Sequence, residues 1–307
     1  MSFEVSIIGT SGMMPLPGRF LTSCILRRNG RLMLFDCGEG TQVSLKIQGF
    51  HWKKISDIFI THMHADHVTG LAGLMMLSSQ VERTEPLNIW GPAKLEQYIE
   101  ANRKLLDMYI NYPVYFHAVE PGVILEDEEI KVSTVPLLHT KPCFGYVLEE
   151  KPRPGEFHPE MAMELGVPRG PMWGMLQHGQ SVRLEDGRVV ESSQVMGQKR
   201  DGCKFAYVTD TLYLGSIADY VKNADLLICE SMFESALLPD ATQKRHMTAT
   251  QAAMIALSAR VKSLGLTHYS PRYSEAELGI LLKEAQAVFP NTFLCKEKQV
   301  IEITSED

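Results

Sequence analysis

The sequence predicts an α/β fold in which two β-sheets pack face to face and helices cover their outer surfaces. Short apolar segments of strand length alternate with segments of helical spacing along most of the chain. The Asn29-Gly30 pair is a strong hairpin signal, because both residues tolerate a positive φ. Mixed strand and helix order with many hairpins favours stacked sheets over a purely parallel, doubly wound sheet.

The first half of the chain is predicted to be rich in strands. Strands are expected at residues 3–9, 22–28, 31–35, 57–60, 114–117, 129–136 and 145–148, with helices at 68–77 and 93–106. Later in the chain, strands are expected at 204–208, 225–229 and 264–266, with helices at 213–221, 248–260 and 274–288.

Between these two parts, residues 151–202 are predicted to form a flexible, loop-rich insertion. Prolines at positions 152, 154, 159, 168 and 171, together with many glycines, break any long helix or strand there. We therefore expect one domain over residues 1–307 that carries this segment as an inserted arm.

Composition and charge limit the functional classes. The 307 residues are 45% hydrophobic and 22% charged, which is typical of soluble globular enzymes and excludes a disordered, collagenous or coiled-coil chain. A formal charge of -7 means that a nucleic-acid partner must be met by a local basic patch. No apolar run is long enough to span a membrane. Six scattered cysteines without a Cys-x-x-Cys pair suit a reducing compartment, so we expect a cytoplasmic protein.

A cluster of histidines follows the strand expected at 57–60. His62, His64, Asp66 and His67 lie within six positions, in a loop that leads into the next helix. Imidazole and carboxylate groups are the usual non-sulfur ligands of zinc. A solvated polar turn is the alternative, but four potential ligands directly after a buried strand favour a metal site.

The motif His-x-His-x-Asp-His in this segment resembles the signature of the metallo-β-lactamase superfamily. The resemblance implies a four-layer αββα sandwich that binds two metal ions, with further ligands in the order His, Asp, His after later strands. The implied ligands of one zinc are His62, His64 and His139, those of the other are Asp66, His67 and His268, and Asp210 is implied to bridge the two.

Further segments resemble the ribonuclease Z family, whose members trim the 3′ end of precursor tRNA. They lie at residues 9–12, 36–42, 141–146, 246–252 and 270–273, and the resemblance extends from about residue 3 to 273. The arm is similar to the Gly-Pro exosite insertion of that family, which implies an RNA-binding role for Gly170 and Pro171.

The resemblance implies a zinc-dependent endoribonuclease with two Zn²⁺ per subunit, acting on precursor tRNA as a homodimer. In that mechanism a metal-bridged hydroxide attacks the scissile phosphate, leaving a 3′-hydroxyl on the tRNA and a 5′-phosphate on the trailer. Asp66 would orient the attacking water and accept its proton. His246 would donate a proton to the leaving oxygen, with an unperturbed pKa of about 6.5.

Four more residues are candidates for supporting roles. Arg272 and Lys141 lie close in sequence to His268 and His139, so they are expected either to meet substrate phosphates or simply to lie on the surface. Asp36 and Glu39 are expected to accept hydrogen bonds from metal-bound histidines.

Two other functions stay open at this stage. A hydrolase of small phosphodiesters or sulfate esters would use the same metals without the arm. A catalytically silent metal-binding or RNA-chaperoning module would require a lost ligand, and none of the implied ligands is missing.

Overall fold

The structure is a computed structural model that describes residues 3–304. These residues form two compact units, one of residues 3–149 and 203–304 and a smaller one of residues 150–202. Within this described part of the chain, no helix has the length and apolar character needed to cross a bilayer. The single domain with a flexible arm at 151–202 stays a prediction, and each unit is described by itself.

The larger unit contains most of the strands. Strands β1 to β9 span Phe3–Gly9, Ser23–Arg28, Arg31–Phe35, Ile55–Phe59, Leu87–Gly91, Val114–Ala118, Val123–Glu126, Ile130–Pro136 and Phe144–Glu150. The smaller unit contributes β10 (Val182–Arg183) and β11 (Val189–Val190). Strands β12 to β16 span Lys204–Val208, Leu226–Glu230, Ser263–Thr267, Thr292–Leu294 and Val300–Glu302.

The helices of both units are short. Helices α1 to α5 span Thr41–Ile47, Ala65–Val68, Leu71–Gln80, Lys94–Leu105 and Pro159–Glu164. Helices α6 to α10 span Pro171–Gln177, Ile217–Tyr220, Leu238–Lys244, Ala249–Ala259 and Leu278–Gln286. Three 3₁₀ turns lie at Trp52–Lys54, Ser192–Gln194 and Ser235–Leu237.

The larger unit is built on two mixed seven-stranded sheets. The first has the strand order β16-β1-β2-β3-β4-β5-β6 and the second the order β15-β14-β13-β12-β9-β8-β7. In each sheet a parallel set of strands adjoins an antiparallel set: β3 to β6 run parallel in the first, as do β12 to β15 in the second. Parallel strands place their carboxyl ends at one edge of the sheet, where the loops that follow them meet.

Aromatic side chains join the two sheets. Phe35 on β3 meets Phe205 on β12 edge to face, with ring centroids 5.4 Å apart, and Phe59 on β4 contacts Tyr146 on β9 at 5.3 Å. Separate apolar clusters pack α1, α3 and α4 on the outer face of the first sheet and α7, α9 and α10 on that of the second. The layers are therefore helix, sheet, sheet and helix, which confirms the predicted αββα fold class.

The element boundaries depart from the sequence expectation in a few places. The helix expected at 213–221 is reduced to Ile217–Tyr220, because the amides of Ile217 and Ala218 donate to carbonyls only three residues back (3.1 and 3.2 Å), so the residues before them form a turn. The predicted helix at 68–77 is interrupted at Gly70, whose amide donates to the Cys37 carbonyl (2.9 Å). The hairpin at Asn29-Gly30 is confirmed, with φ of 47° and 85°.

The smaller unit has regular structure that its prolines and glycines did not indicate. It contains α5, α6 and the β10–β11 hairpin. These elements enclose an apolar cluster of their own, which includes Val167, Leu176 and Val195. The segment is therefore not only loops, because short elements between the prolines still bury an apolar face.

Candidate metal centre

The predicted ligands lie in loops that follow strands of both sheets. His62 and His64 lie just after β4, and Asp66 and His67 lie in the short helix α2. His139 comes three residues after β8, Asp210 two residues after β12, and His268 directly after β14. Strand ends that are neighbours in space thus bring together residues that are far apart in the sequence.

The structure brings all seven predicted ligands together. Among the described residues, donor atoms form three groups, in each of which the atoms lie within 4.8 Å of one another, and the third joins Asp210 and His268 to His246. The first group consists of His62, His64, His139 and Asp210, and the second of Asp66, His67 and His268.

The Asp210 carboxylate faces the first two groups. Its Oδ2 lies 3.7 Å from His62 Nε2 and 3.6 Å from His139 Nε2. Its Oδ1 lies 3.4 Å from His67 Nε2 and 3.0 Å from His268 Nε2. One oxygen is therefore directed to each group, which is the arrangement needed for a carboxylate that bridges two cations.

The donor set fits a divalent cation. Among the described residues, the buried Nε2 atoms of His62, His67 and His268 have no hydrogen-bond partner. A buried nitrogen lone pair without a partner is costly, and a metal ion satisfies several of them at once. Burial holds the pKa of His62 well below its ordinary value, which keeps this imidazole neutral and able to bind metal.

The Nδ1 atoms of His67 and His139 are fixed by hydrogen bonds. His67 Nδ1 lies 2.8 Å from Asp36 Oδ2, and His139 Nδ1 lies 2.9 Å from the Arg245 carbonyl oxygen. Asp36 also accepts hydrogen bonds from the Thr61 amide and hydroxyl. These contacts fix the ring orientations of His67 and His139. His67 Nε2 has no hydrogen-bond partner among the described residues, and His139 Nε2 lies 3.1 Å from His64 Nδ1.

Glu39, the second predicted partner of the histidines, is exposed. Among the described residues, it is the fully buried Asp36 whose carboxylate contacts His67. The structure therefore places Asp36, but not Glu39, against a candidate ligand.

Asp66 lies at the open side of the cluster. Its Oδ2 accepts a hydrogen bond of 2.8 Å from the Met13 amide and lies 3.5 Å from His67 Nε2. Burial alone would raise the pKa of Asp66, but interactions with His67 and His268 outweigh it and hold the pKa well below its ordinary value. This carboxylate is therefore ionised at neutral pH.

His246 lies beside the cluster and is bound to a carboxylate that the sequence analysis missed. Its Nδ1 lies 3.1 and 3.2 Å from the two oxygens of Glu230, which is fully buried at the end of β13. Burial opposes charge on the imidazole, but Glu230 outweighs it and raises the pKa of His246 to about 9. The expectation of an unperturbed pKa is therefore wrong, because it took no account of this neighbour.

Basic side chains lie around His246. Arg272 and Lys244 are exposed and approach the ring of Phe233. The Arg272 guanidinium carbon lies 5.0 Å from the ring centroid, and Lys244 Nζ lies 5.6 Å from it. The Phe233 ring lies 6.1 Å from that of His246, and the Arg245 guanidinium donates to the His139 carbonyl oxygen (2.9 Å). The basic side chains of Lys244, Arg245 and Arg272 therefore lie near His246.

The three other predicted substrate contacts are exposed. Lys141 is exposed two residues after His139. Gly170 and Pro171 are exposed at the start of α6 in the smaller unit, where Gly170 has a φ of 145°.

Known proteins resemble the chain over its whole length. It is 55% identical to the ribonuclease Z of Treponema denticola over 308 residues, which cover 100% of both chains. It is 53% identical to the ribonuclease Z of Treponema pallidum subsp. pallidum, over 99% of this chain and 98% of that one. The chain belongs to the ribonuclease Z family.

Solved structures agree with this assignment. The short form of human tRNase Z is similar with a TM-score of 0.71 and 26% identity, covering 98% of this chain and 99% of the human one. The metallo-β-lactamase fold protein YhfI from Bacillus subtilis matches with a TM-score of 0.70 at 20% identity, over 98% of this chain and 100% of that one, and shows the fold alone. The family model of the anti-Pycsar protein Apyc1 matches residues 3–151.

Glu230 has the same kind of position as the predicted ligands of this ribonuclease Z family member. It ends a fully buried apolar strand, and its oxygens also accept hydrogen bonds from the amides of Thr211 (2.6 Å) and Met247 (3.2 Å). An acidic residue at the end of such a strand is a signal that could have found it in the sequence.

Replacing Glu230 with glutamine should lower the pKa of His246 from about 9 to below 6.5, because burial would then act without the opposing charge. The wild-type pair should stabilise the fold fully below about pH 6.5, the pKa in the unfolded chain, and lose that contribution as the pH rises through about 9. NMR titration of the His246 ring and urea unfolding at several pH values measure both effects.

The exposed residue Glu96 on α4 offers the matched control, since Glu96→Gln removes the same charge far from any buried histidine. An unchanged His246 titration in Glu230→Gln would show that Glu230 does not set this pKa.

Proposed function

We propose that the chain is a metal-dependent endoribonuclease that removes the 3′ trailer from precursor tRNA, leaving a 3′-hydroxyl on the tRNA and a 5′-phosphate on the trailer. The observation that carries the proposal is the convergence of all seven predicted ligands, with His246 beside them, in a member of the ribonuclease Z family. Metal-assisted hydrolysis of a phosphodiester uses this combination of cation ligands, a carboxylate that takes a proton and a proton donor.

Two zinc ions per subunit are the proposed cofactor. His62, His64 and His139 would hold one ion, Asp66, His67 and His268 the other, and Asp210 would contact both, as its two oxygens face the two groups. Zinc bound there supplies Lewis-acid stabilisation of the phosphoryl charge. All the donors are imidazole nitrogens or carboxylate oxygens, a set that supports zinc among the borderline divalent cations.

Asp66 would accept the proton of the attacking water. Its carboxylate is ionised, and one oxygen is held in place by the Met13 amide. The water oxygen forms the new bond to phosphorus while its proton passes to Asp66.

His246 would protonate the leaving group. Its Nδ1 is bound to Glu230, so Nε2 is the nitrogen free to donate, and a pKa of about 9 keeps the ring protonated at neutral pH. The P–O3′ bond breaks as the proton moves from Nε2 to O3′, which yields the 3′-hydroxyl.

Two further proposals concern the whole protein. Membership of the ribonuclease Z family supports a homodimer, in which isologous contacts join two copies. Cys24, Cys37, Cys143, Cys229 and Cys295 are buried free thiols, which supports a location in the reducing cytoplasm.

Asp210→Asn should reduce the bound zinc from two equivalents to one or fewer. The substitution keeps the side-chain volume but removes the negative charge that lies within 3.7 Å of His62, His67, His139 and His268. Elemental analysis after dialysis against buffered zinc measures the stoichiometry, and Asp219→Asn on α7 is the control. Two tightly held equivalents in Asp210→Asn would contradict the bridging role.

His246→Asn should lower kcat on a precursor tRNA about 10²- to 10⁴-fold, the range expected for loss of a general acid. The affinity for the precursor and the zinc content should stay within about threefold of wild type, since neither depends on this proton. Single-turnover cleavage and fluorescence anisotropy measure the two quantities. An unchanged single-turnover rate would remove His246 from the mechanism.

The arm distinguishes the proposed function from hydrolysis of small phosphodiesters. Glu149 pairs with Lys204 across β9 and β12, so a tight turn between residues 150 and 203 can replace the arm in the larger unit. This deletion should reduce cleavage of a precursor tRNA at least 100-fold. Hydrolysis of bis(p-nitrophenyl) phosphate should stay within about threefold, because it needs only the metal centre.

Both activities are measured on the intact protein and the deletion variant in parallel. Equal retention of the two activities in the variant would contradict an RNA-binding role of the arm. Hydrolysis of the aryl diester by the intact protein, without any cleavage of the precursor, would favour the small-diester function.

A further inference from the structure

The loop between β1 and β2 passes directly beside the candidate active site. The Met13 amide donates to Asp66 Oδ2 (2.8 Å), and the Gly12 amide donates to the Tyr269 carbonyl oxygen (3.0 Å). A Cβ added at Gly12 would lie only 2.7 Å from the His268 ring. The backbone of this loop is therefore packed against two of the proposed metal ligands.

Hydrogen bonds hold the loop in a defined shape. The Ser11 hydroxyl donates to the Met14 carbonyl oxygen (2.8 Å), and Leu16 and Arg19 exchange two backbone hydrogen bonds of 2.8 and 2.9 Å. Met13 has a φ of 66°, a left-handed conformation that costs free energy for any residue other than glycine. Such a conformation persists where surrounding contacts enforce it, and it often marks a functional position.

Two adjacent methionine side chains project from this fixed backbone into solvent. Met13 is 66% exposed and Met14 is 52% exposed, whereas Met232, which would also contact a Cβ at Gly12, is 1% exposed. The two exposed side chains form an apolar surface beside the Asp66 carboxylate, and a bound substrate can cover that surface.

We propose that Met13 and Met14 form a platform for the nucleobase next to the scissile phosphodiester. This inference rests on the proposed function, since it names the part of the RNA that the loop contacts. The Met13 amide bonds the Asp66 carboxylate. When the scissile phosphate lies at Asp66, the nucleotides on either side of it therefore pass close to Met13. The base of one such nucleotide is the apolar group of the substrate that reaches the methionines.

The chemistry of methionine suits this occupant. The thioether is polarizable, makes favourable contacts with aromatic rings, and adapts its three rotatable bonds to rings of different size. It has no hydrogen-bond donor, so it does not read the edge of a base. The platform therefore adds affinity for any base at this position without selecting a trailer sequence, as stacking contacts do in proteins that bind single-stranded RNA.

The test compares three precursor tRNA transcripts in the full-length, zinc-loaded protein. One transcript is intact, one is abasic on the tRNA side of the scissile phosphate, and one is abasic on the trailer side. The variants are Met14→Ala and Met13→Gly, of which the second keeps the amide that bonds Asp66 and accepts the φ of 66°. Met254→Ala, at a methionine that is 41% exposed on α9, is the matched control.

On the intact transcript we expect each loop variant to raise KM about three- to tenfold, in line with the strength of a sulfur–aromatic contact, and to change kcat less than twofold. On one of the two abasic transcripts this deficit should disappear, because the partner of the methionines is missing. The control should match wild type on all three. Thermal unfolding and zinc content of each variant confirm that fold and metal centre are intact.

A deficit of equal size on all three transcripts, or no deficit on the intact one, would overturn the platform while leaving the proposed function in place. Failure of the wild type to cleave the intact transcript would instead contradict the proposed function itself. The two failures are therefore distinguishable in one set of measurements.

Discussion

The structure depends on a group of buried imidazole nitrogens that face one another with too few protein partners. His62, His67 and His268 each bury an Nε2 that no described residue bonds, and the two oxygens of Asp210 lie between the two sets of histidines. An unpartnered buried polar atom costs about 1–3 kcal/mol, so the rest of the fold must hold this group against a substantial penalty until a cation relieves it. The need for cations is therefore a consequence of the packing, and the chemistry follows from it.

The two sheets supply that support jointly. Asp36, at the end of β3, bonds His67 and Thr61 on the first sheet and accepts a hydrogen bond from the Tyr207 hydroxyl on β12 of the second (3.2 Å). The aromatic layer that joins the sheets ends at this carboxylate, since Phe35 precedes it and packs on Tyr207 with ring centroids 5.5 Å apart. A substitution in the aromatic layer between the sheets would thus shift Asp36 and, through it, the orientation of the His67 ring.

The second sheet contributes a separate carboxylate network around His246, the proposed proton donor. Glu230 bonds His246 and the amides of Thr211 and Met247, so one buried side chain fixes the loops that carry both Asp210 and His246. The raised pKa of His246 and the position of the Asp210 loop therefore have a common structural origin. This coupling explains why a residue that touches no candidate metal ligand directly is central to the site.

Side-chain chemistry was readable in the sequence, whereas backbone contacts and long-range neighbours were not. His62, His64, Asp66 and His67 are recognisable because four ligands occur in one short segment, and the fold class follows from the strand and helix order. The Met13 amide that holds Asp66 and the Arg245 carbonyl that orients His139 carry no side-chain signal.

The charge state of His246 also required the fold, because Glu230 lies sixteen residues away. The smaller unit shows the same limit. Its prolines indicated loops, but the apolar contacts of residues such as Leu176 and Val195 depend on how the short elements meet.

Zinc K-edge X-ray absorption on the zinc-loaded protein would identify the atoms that bind the cations. We expect nitrogen and oxygen ligands only, at about 2.0–2.2 Å, with the outer-shell scattering of several imidazoles. An alternative sulfur donor is Cys143, whose Sγ donates to the Asp210 carbonyl oxygen (3.4 Å). A sulfur shell at about 2.3 Å, or a spectrum without imidazole scattering, would contradict this expectation.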